Sequence, residues 1–432
     1  MKKLLLLFTM ILSISIAYSS VLKLVPEDSK AVFVMKNVSA TYDQMKTVPT
    51  IGKFLGEPFS AEITFSSYIE MYLNTLDIKP DAFFKSLNTD MAFFIQEPKD
   101  SYYPFGIVFG PVDKVQDFTK AMEKILEITK ESNISLKSYN KKIDGKDYVI
   151  FIQDDKAYAT LKTGLDTSLV KISNGFFFNV NASDLKTTGS VYIKDGFLVG
   201  TASGKINEKE ISPAYVKKPQ DYKFLGTVFG VSGFVPKDFK VFGDIVNIIV
   251  DYSIIEKVLM SSSGFELNGN LDINLKNTGM LDIKSINYAK INSKSSIDQL
   301  LPVFKDNNIK YEKTSSNAVK IFISQQNQSS SSSQPKQALP EQIFYLWKDG
   351  DNFFVSQTTA NDINTMLKTS KNLSDNALFK ILNSKVPFGN LANLFLDISK
   401  LFEQYGEKGE FGLLFSVNHT SSGNIKADFI LK

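Results

Sequence analysis

The chain has 432 residues, 49 basic and 46 acidic side chains, a formal net charge of +3 and no cysteine. That length holds two or three domains with real cores. The balanced charge excludes a nucleic-acid footprint, and the lack of cysteine excludes a disulfide-held fold or a thiol nucleophile. Every basic residue is lysine, and there is one histidine, His419, and one tryptophan, Trp347. Bidentate guanidinium recognition of phosphate or carboxylate is therefore absent, and Ser–His–Asp chemistry has a single imidazole to draw on.

The chain opens with the three-part plan of a secretory signal over residues 1–19. Met1-Lys2-Lys3 is the positive start, Leu4 to Ile16 the apolar run, and Ala17-Tyr18-Ser19 the small-residue site, with the cut expected before Ser20. If the signal is kept, the same apolar run becomes an N-terminal membrane tether. No later stretch reaches 18 unbroken apolar residues, so the remainder is expected outside the bilayer. The expected location is the periplasm, the cell envelope or the extracellular space.

The mature chain starts with an apolar strand, Ala31 to Met35, leading into a helix from Ser39 to Val48. A second strand, Phe105 to Phe109, precedes a helix with Val115, Phe118, Met122 and Ile125 on one face. Asp113 and Gln116 stand at capping-box spacing before it. Strand patterns follow at Leu136–Tyr139, Tyr148–Ile152 and Ala157–Leu161. Asp144-Gly145 and Asp195-Gly196 supply hairpin turns.

The same plan recurs later. Phe224–Phe229 leads into Lys237 to about Leu259, and Leu391–Leu396 into Asp397–Tyr405. Leu281–Tyr288 precedes a helix bearing Ile297, Leu300, Leu301 and Phe304, with Ser296 and Gln299 as its capping box. Pro302 is expected to kink that helix. Strands then follow at Ile309–Tyr311, Ala318–Ile323, Ile343–Trp347 and Phe353–Ser356, with Asn268-Gly269 and Asp349-Gly350 read as turns. Phe411–Val417 and Ile425–Leu431 close the chain. The reading is α+β: two similar lobes, 20–215 and 216–432, of antiparallel sheet with helices packed on one face. Residues 325–340, rich in Ser and Gln, are expected to form a flexible insertion in the second lobe.

Motifs that carry chemistry are few. Ser168-x-x-Lys171, Ser183-x-x-Lys186, Ser374-Asp375-Asn376 and Lys162-Thr163-Gly164 match pieces of the penicillin-recognising serine enzymes. Their order is wrong for that family, and chance matches are common in a chain rich in Ser, Lys and Asn. Asp154-Asp155 and Asp349-Gly350-Asp351 supply too few oxygens for a calcium loop and read as turns. His419 reads as a residue of the turn between the last two strands. The apolar run from Val241 to Met260 is expected to be a helix. Ile245, Ile248, Ile249, Tyr252 and Ile255 are the candidates for lining an apolar groove.

Leu24-Val25-Pro26-Glu27-Asp28-Ser29 before the first strand resembles the mature start of a family of bacterial extracytoplasmic proteins of unknown function. Lys348 to Ser356, Val386-Pro387 and Leu394 to Ile398 are similar to its C-terminal half. The resemblance implies export and a two-lobed α+β architecture, and brings no catalytic residues. The function expected is non-enzymatic binding of an apolar molecule such as a lipid, or of another envelope protein, with no nucleotide, cofactor or metal. The alternatives are a hydrolase with an unrecognised Ser–Lys or carboxylate site, and a structural envelope component.

Overall fold

The computed structural model describes residues 19–57, 59–97, 104–128, 136–153, 158, 162–167, 170, 172, 174–181, 186–205, 229–233, 262–275, 281–306, 308–323, 342–403, 405–421 and 424–432. The fold is α+β and divides into two compact units at Lys205/Ile206.

In the first unit, β1 (Ala31–Lys36), β2 (Asp90–Ile95), β3 (Phe105–Gly110), β4 (Lys137–Ile143), β5 (Lys146–Ile152), β6 (Gly175–Asn181), β7 (Lys186–Lys194) and β8 (Phe197–Lys205) form one antiparallel sheet. Its order is β4-β5-β3-β2-β1-β6-β7-β8. Asp144 and Gly145 (φ 51° and 76°) turn β4 into β5, and Asp195 and Gly196 (φ 53° and 75°) turn β7 into β8. Two successive left-handed residues give the type I′ turn that suits a twisted hairpin.

The helices of this unit are α1 (Val38–Met45), α2 (Pro49–Leu55), α3 (Ala61–Thr75), α4 (Pro80–Ser86) and α5 (Val115–Ile128). Strand alternation sorts the apolar residues into two layers. On β5, Val149 and Phe151 pack with Leu73 of α3, Phe83 of α4, and Phe118 and Met122 of α5. Tyr148, Ile150 and Ile152 point the other way. They meet a 3-10 turn, Ser20–Leu24, together with Tyr158 and Val170. With both faces covered, β5 reads as a continuous apolar run from Tyr148 to Ile152.

The second unit holds β9 (Phe229–Gly233), β10 (Ser262–Leu275), β11 (Leu281–Ser293), β12 (Lys310–Ser315), β13 (Ala318–Ile323), β14 (Gln342–Asp349), β15 (Asn352–Ser356), β16 (Ala392–Asp397), β17 (Gly412–Ser421) and β18 (Asn424–Leu431). Their antiparallel order is β12-β13-β14-β15-β11-β10-β9-β16-β17-β18. With the β14–β15 hairpin set aside, this matches the first sheet strand for strand. The helix after β3, α5, has its counterpart after β11 in α6 (Ile297–Asp306).

The capping box of α6 is present. Ser296 Oγ accepts from Gln299 N at 3.3 Å, and Gln299 Oε1 accepts from Ser296 N at 2.7 Å. The helix continues through Pro302. The second unit departs from helices on a single face. Ile297, Leu300 and Phe304 of α6 pack with Leu346 and Phe353. Ile363 of α7 (Ala360–Thr369) packs with Tyr288, Trp347 and Phe354. Residues 346/347 and 353/354 are neighbours in their strands and so face opposite ways; the added hairpin is apolar on both sides and recruits a helix to each.

Three local readings are corrected. Asn268-Gly269 is not a turn but lies within β10, paired with Tyr288 and Asn287. The period-two series Phe265, Leu267, Leu271, Ile273, Leu275 runs straight through it, and strand pairing on both edges overrides a dipeptide signal. Tyr158 is not in a strand. His419 is not in a turn but within β17, in register with Ile425. Residues 224–228 of the strand expected at 224–229, the helix at 237–259, the remainder of 157–161 and the insertion 325–340 lie outside the described residues.

Candidate binding surface

The helical layer of the first unit presents an apolar face to solvent. On α3, Leu73 is fully buried and Ile69 packs beside it in the core. At 100° per residue, Tyr68 and Met71 turn away from Leu73, with Phe65 on the flank between. They are 67 %, 60 % and 50 % exposed; Ile63 is 62 % and Phe54 of α2 56 % exposed. Phe54 lies 5.8 Å from Phe59 between ring centroids. Such residues scattered singly are ordinary; Phe65, Tyr68 and Met71, three residues apart in turn, form one continuous exposed apolar stripe.

The Ser and Thr hydroxyls of α3 are spent locally. The hydroxyls of Thr64, Ser66, Ser67 and Thr75 donate to Ser60 O, Ile63 O, Ile63 O and Tyr72 O at 2.6–3.2 Å. Turned back on their own backbone, they leave the outer face to rings and aliphatic carbons. The helix carries no lysine and two acids, Glu62 and Glu70. Glu62 is held by Lys46 at 3.0 Å, and this bond raises the ammonium of Lys46 above its ordinary range. Beside them, burial and then the Glu62 charge raise the phenol of Tyr42.

A second feature of this layer is a cleft of about 540 Å³ between α4 and the start of α5. Phe83 and Phe118 form its floor, stacked at 6.0 Å and 23°. Asp77, Asp113, Asp117, Lys79, Lys85 and Lys114 stand at its rim, all exposed. The signs balance, so the rim favours neither an anion nor a cation.

The motif pieces from the sequence are not brought together. Lys162 pairs with Glu27 at 3.0 Å, Thr163 bridges Pro26, and Gly164 N donates to Val25 O at 3.0 Å. Asp375 accepts from Asn372 N at 3.3 Å, and Asn376 Oδ1 caps α8 (Ala377–Asn383) through Phe379 N at 2.8 Å. The Asn376 amide also donates to Asp397 at 3.0 Å. Each piece is engaged in turn and cap structure of its own unit. Lys186 is exposed at the start of β7; Ser168, Lys171 and Ser183 lie outside the described residues.

Asp349, Gly350 and Asp351 are exposed at the β14–β15 turn. Asp154 and Asp155 lie outside the described residues, as do Ile245, Ile248, Ile249, Tyr252 and Ile255, the candidate groove helix. The backbone of His419 is clasped by Asn390, which accepts from His419 N at 2.8 Å and donates to its carbonyl at 3.3 Å. Among the described residues no three acidic or histidine side chains converge on a cation-sized site, and no helix is long and apolar enough to cross a membrane.

The chain matches no family model, no curated protein and no solved structure. The exposed face of α3 was missed in the sequence. Its signal was there: Leu73, Phe65, Tyr68, Met71 and Ile63 step right round the axis, leaving apolar residues on every side of a helix with only two charges.

Proposed function

We propose that this is an exported, non-enzymatic binding protein whose α3 face docks on another protein of the cell envelope. Membership in the extracytoplasmic family that its mature start resembles belongs to this reading. The observation that carries it is the exposed stripe Phe65, Tyr68 and Met71 on a helix whose Ser and Thr hydroxyls bond back to its own backbone. A protein partner is favoured over a lipid surface because interfacial helices carry Lys or Arg beside the apolar face. Here α3 has only acids.

Photo-crosslinking in cells tests this. With p-benzoylphenylalanine at position 65 or 68, one discrete envelope protein is expected in the adduct. The exposed rim position 117 serves as the control and is expected to give none. Equal labelling at all three positions, or flotation of the wild-type chain with phosphatidylglycerol vesicles, overturns the reading.

A further inference from the structure

We infer that Ser19 belongs to the mature folded protein, and that leader processing falls on its N-terminal side, at the Ala17–Tyr18 bond. This rests on the exported reading above, and it moves the cut from the expected Ser19–Ser20 bond. Ser19 is fully buried, and its hydroxyl donates to Asp90 Oδ2 at 2.8 Å. That carboxylate also takes the Lys36 ammonium at 2.6 Å and, on its other oxygen, Asn37 N at 3.0 Å. Lys36 and Asp90 have only 6 % and 13 % of their side chains exposed, so the pair depends on protein groups for its remaining hydrogen bonds.

The backbone is engaged as well. Ser19 O accepts from Leu22 N at 3.2 Å and begins the 3-10 turn. Ser20 Oγ accepts from the Tyr148 hydroxyl at 2.6 Å, and the next two residues, Val21 and Leu22, are fully buried. A cut before Ser20 removes a hydroxyl from a buried carboxylate and the first carbonyl from the turn. It also sets a new ammonium beside Val21. A cut one bond before Ser19 leaves all of this in place, but Tyr18 is too large for the final position of a signal. Two bonds before Ser19, Ser15 and Ala17 stand at the same small-residue spacing that Ala17 and Ser19 offer before Ser20. Hydrolysis there adds one water across the bond, leaving a carboxylate on Ala17 and an ammonium on Tyr18.

The full chain is produced in an exporting bacterial host, recovered from outside the cytoplasm, and read by N-terminal sequencing and intact mass. Tyr18 as first residue is expected. Ser20 as first residue, or an exported chain left whole, overturns the inference while the exported reading stands. A chain confined whole to the cytoplasm overturns the exported reading itself. A second measurement uses chains beginning at Tyr18 and at Ser20, each released from a tag without added residues. The Ser20 chain is expected to melt at least about 2–4 °C lower. Equal melting temperatures overturn the structural ground.

Discussion

The phenol of Tyr158 donates to the carbonyl oxygen of Leu24 at 3.0 Å, with its ring stacked 6.3 Å from Phe94. One hydrogen bond thus ties a residue beyond β5 to the 3-10 turn that opens the fold, across the buried face of the sheet. Tyr158→Phe leaves that carbonyl without its donor, and an expected loss of about 1–3 kcal/mol follows from an unsatisfied buried acceptor. Urea denaturation at neutral pH measures it.

The same residue sets a pH dependence. Burial pushes its ionisation up to about 12, from 10.0 for a free phenol. The unfolded chain therefore gives up this proton first as pH rises. The contribution to stability is whole below pH 10 and is lost between 10 and 12. Denaturation of the wild type and Tyr158→Phe at pH 8 to 11.5 is expected to show a steeper decline in the wild type above pH 10. Parallel curves would contradict the assignment.

Asp90 gathers Ser19, Lys36 and Asn37 at the end of β1. Asp90→Ala leaves the Lys36 ammonium buried without its counter-charge, and a loss of about 3–5 kcal/mol is expected. The double variant Lys36→Met/Asp90→Leu is expected to recover most of it, since two apolar side chains carry no desolvation penalty. Equilibrium unfolding of the three proteins tests the order.

Glycine at 110 is required by a neighbouring ring. A Cβ there would lie 2.1 Å from the Tyr148 ring, which is itself buried. Gly110→Ala is expected to cost about 1–3 kcal/mol through displacement of that ring. Gly145→Ala meets no atom within 4 Å and pays only for its left-handed backbone. Thermal melts of the two variants separate packing from backbone strain.

Ser374 and Asn376 separate a structural role from a catalytic one. Asn376→Ala removes the cap of α8, for an expected loss of about 1 kcal/mol. Ser374→Ala is expected to stay within about 0.5 kcal/mol of the wild type. A fluorescent penicillin is expected to form no covalent adduct with either variant or with the wild type. An adduct lost in Ser374→Ala would revive the serine-enzyme reading.

On α3, Phe65→Ser is expected to leave the melting temperature unchanged, because the ring already lies in solvent. Leu73→Ala, two turns further along the helix and fully buried, is expected to cost about 2–5 kcal/mol. A large loss at position 65 would mean that the ring is covered, and would remove the ground for a docking surface.

The local code was legible wherever one short-range interaction decides. The Ser296–Gln299 box, the Asp-Gly turns at 144 and 195, and the apolar faces of α5 and α6 all formed as their spacing required. The repeat was also readable as an order of elements, because strand and helix periods survive when residue identity does not. Partner choice was not readable. Asn268-Gly269 became strand because β9 and β11 pair with β10 on both sides, and no dipeptide records its neighbours. The outer face of α3 could be seen as apolar but not as exposed, since exposure depends on which sheet face the helix covers. Ser19 looked like the last residue of a leader; only Asp90, 71 residues away, makes it part of the core. Sequence by itself determined the elements and their order, through periodicity and capping. Tertiary structure decided which side chains are spent on the fold and which are left for a partner, because burial and long-range pairing are properties of the assembled sheet.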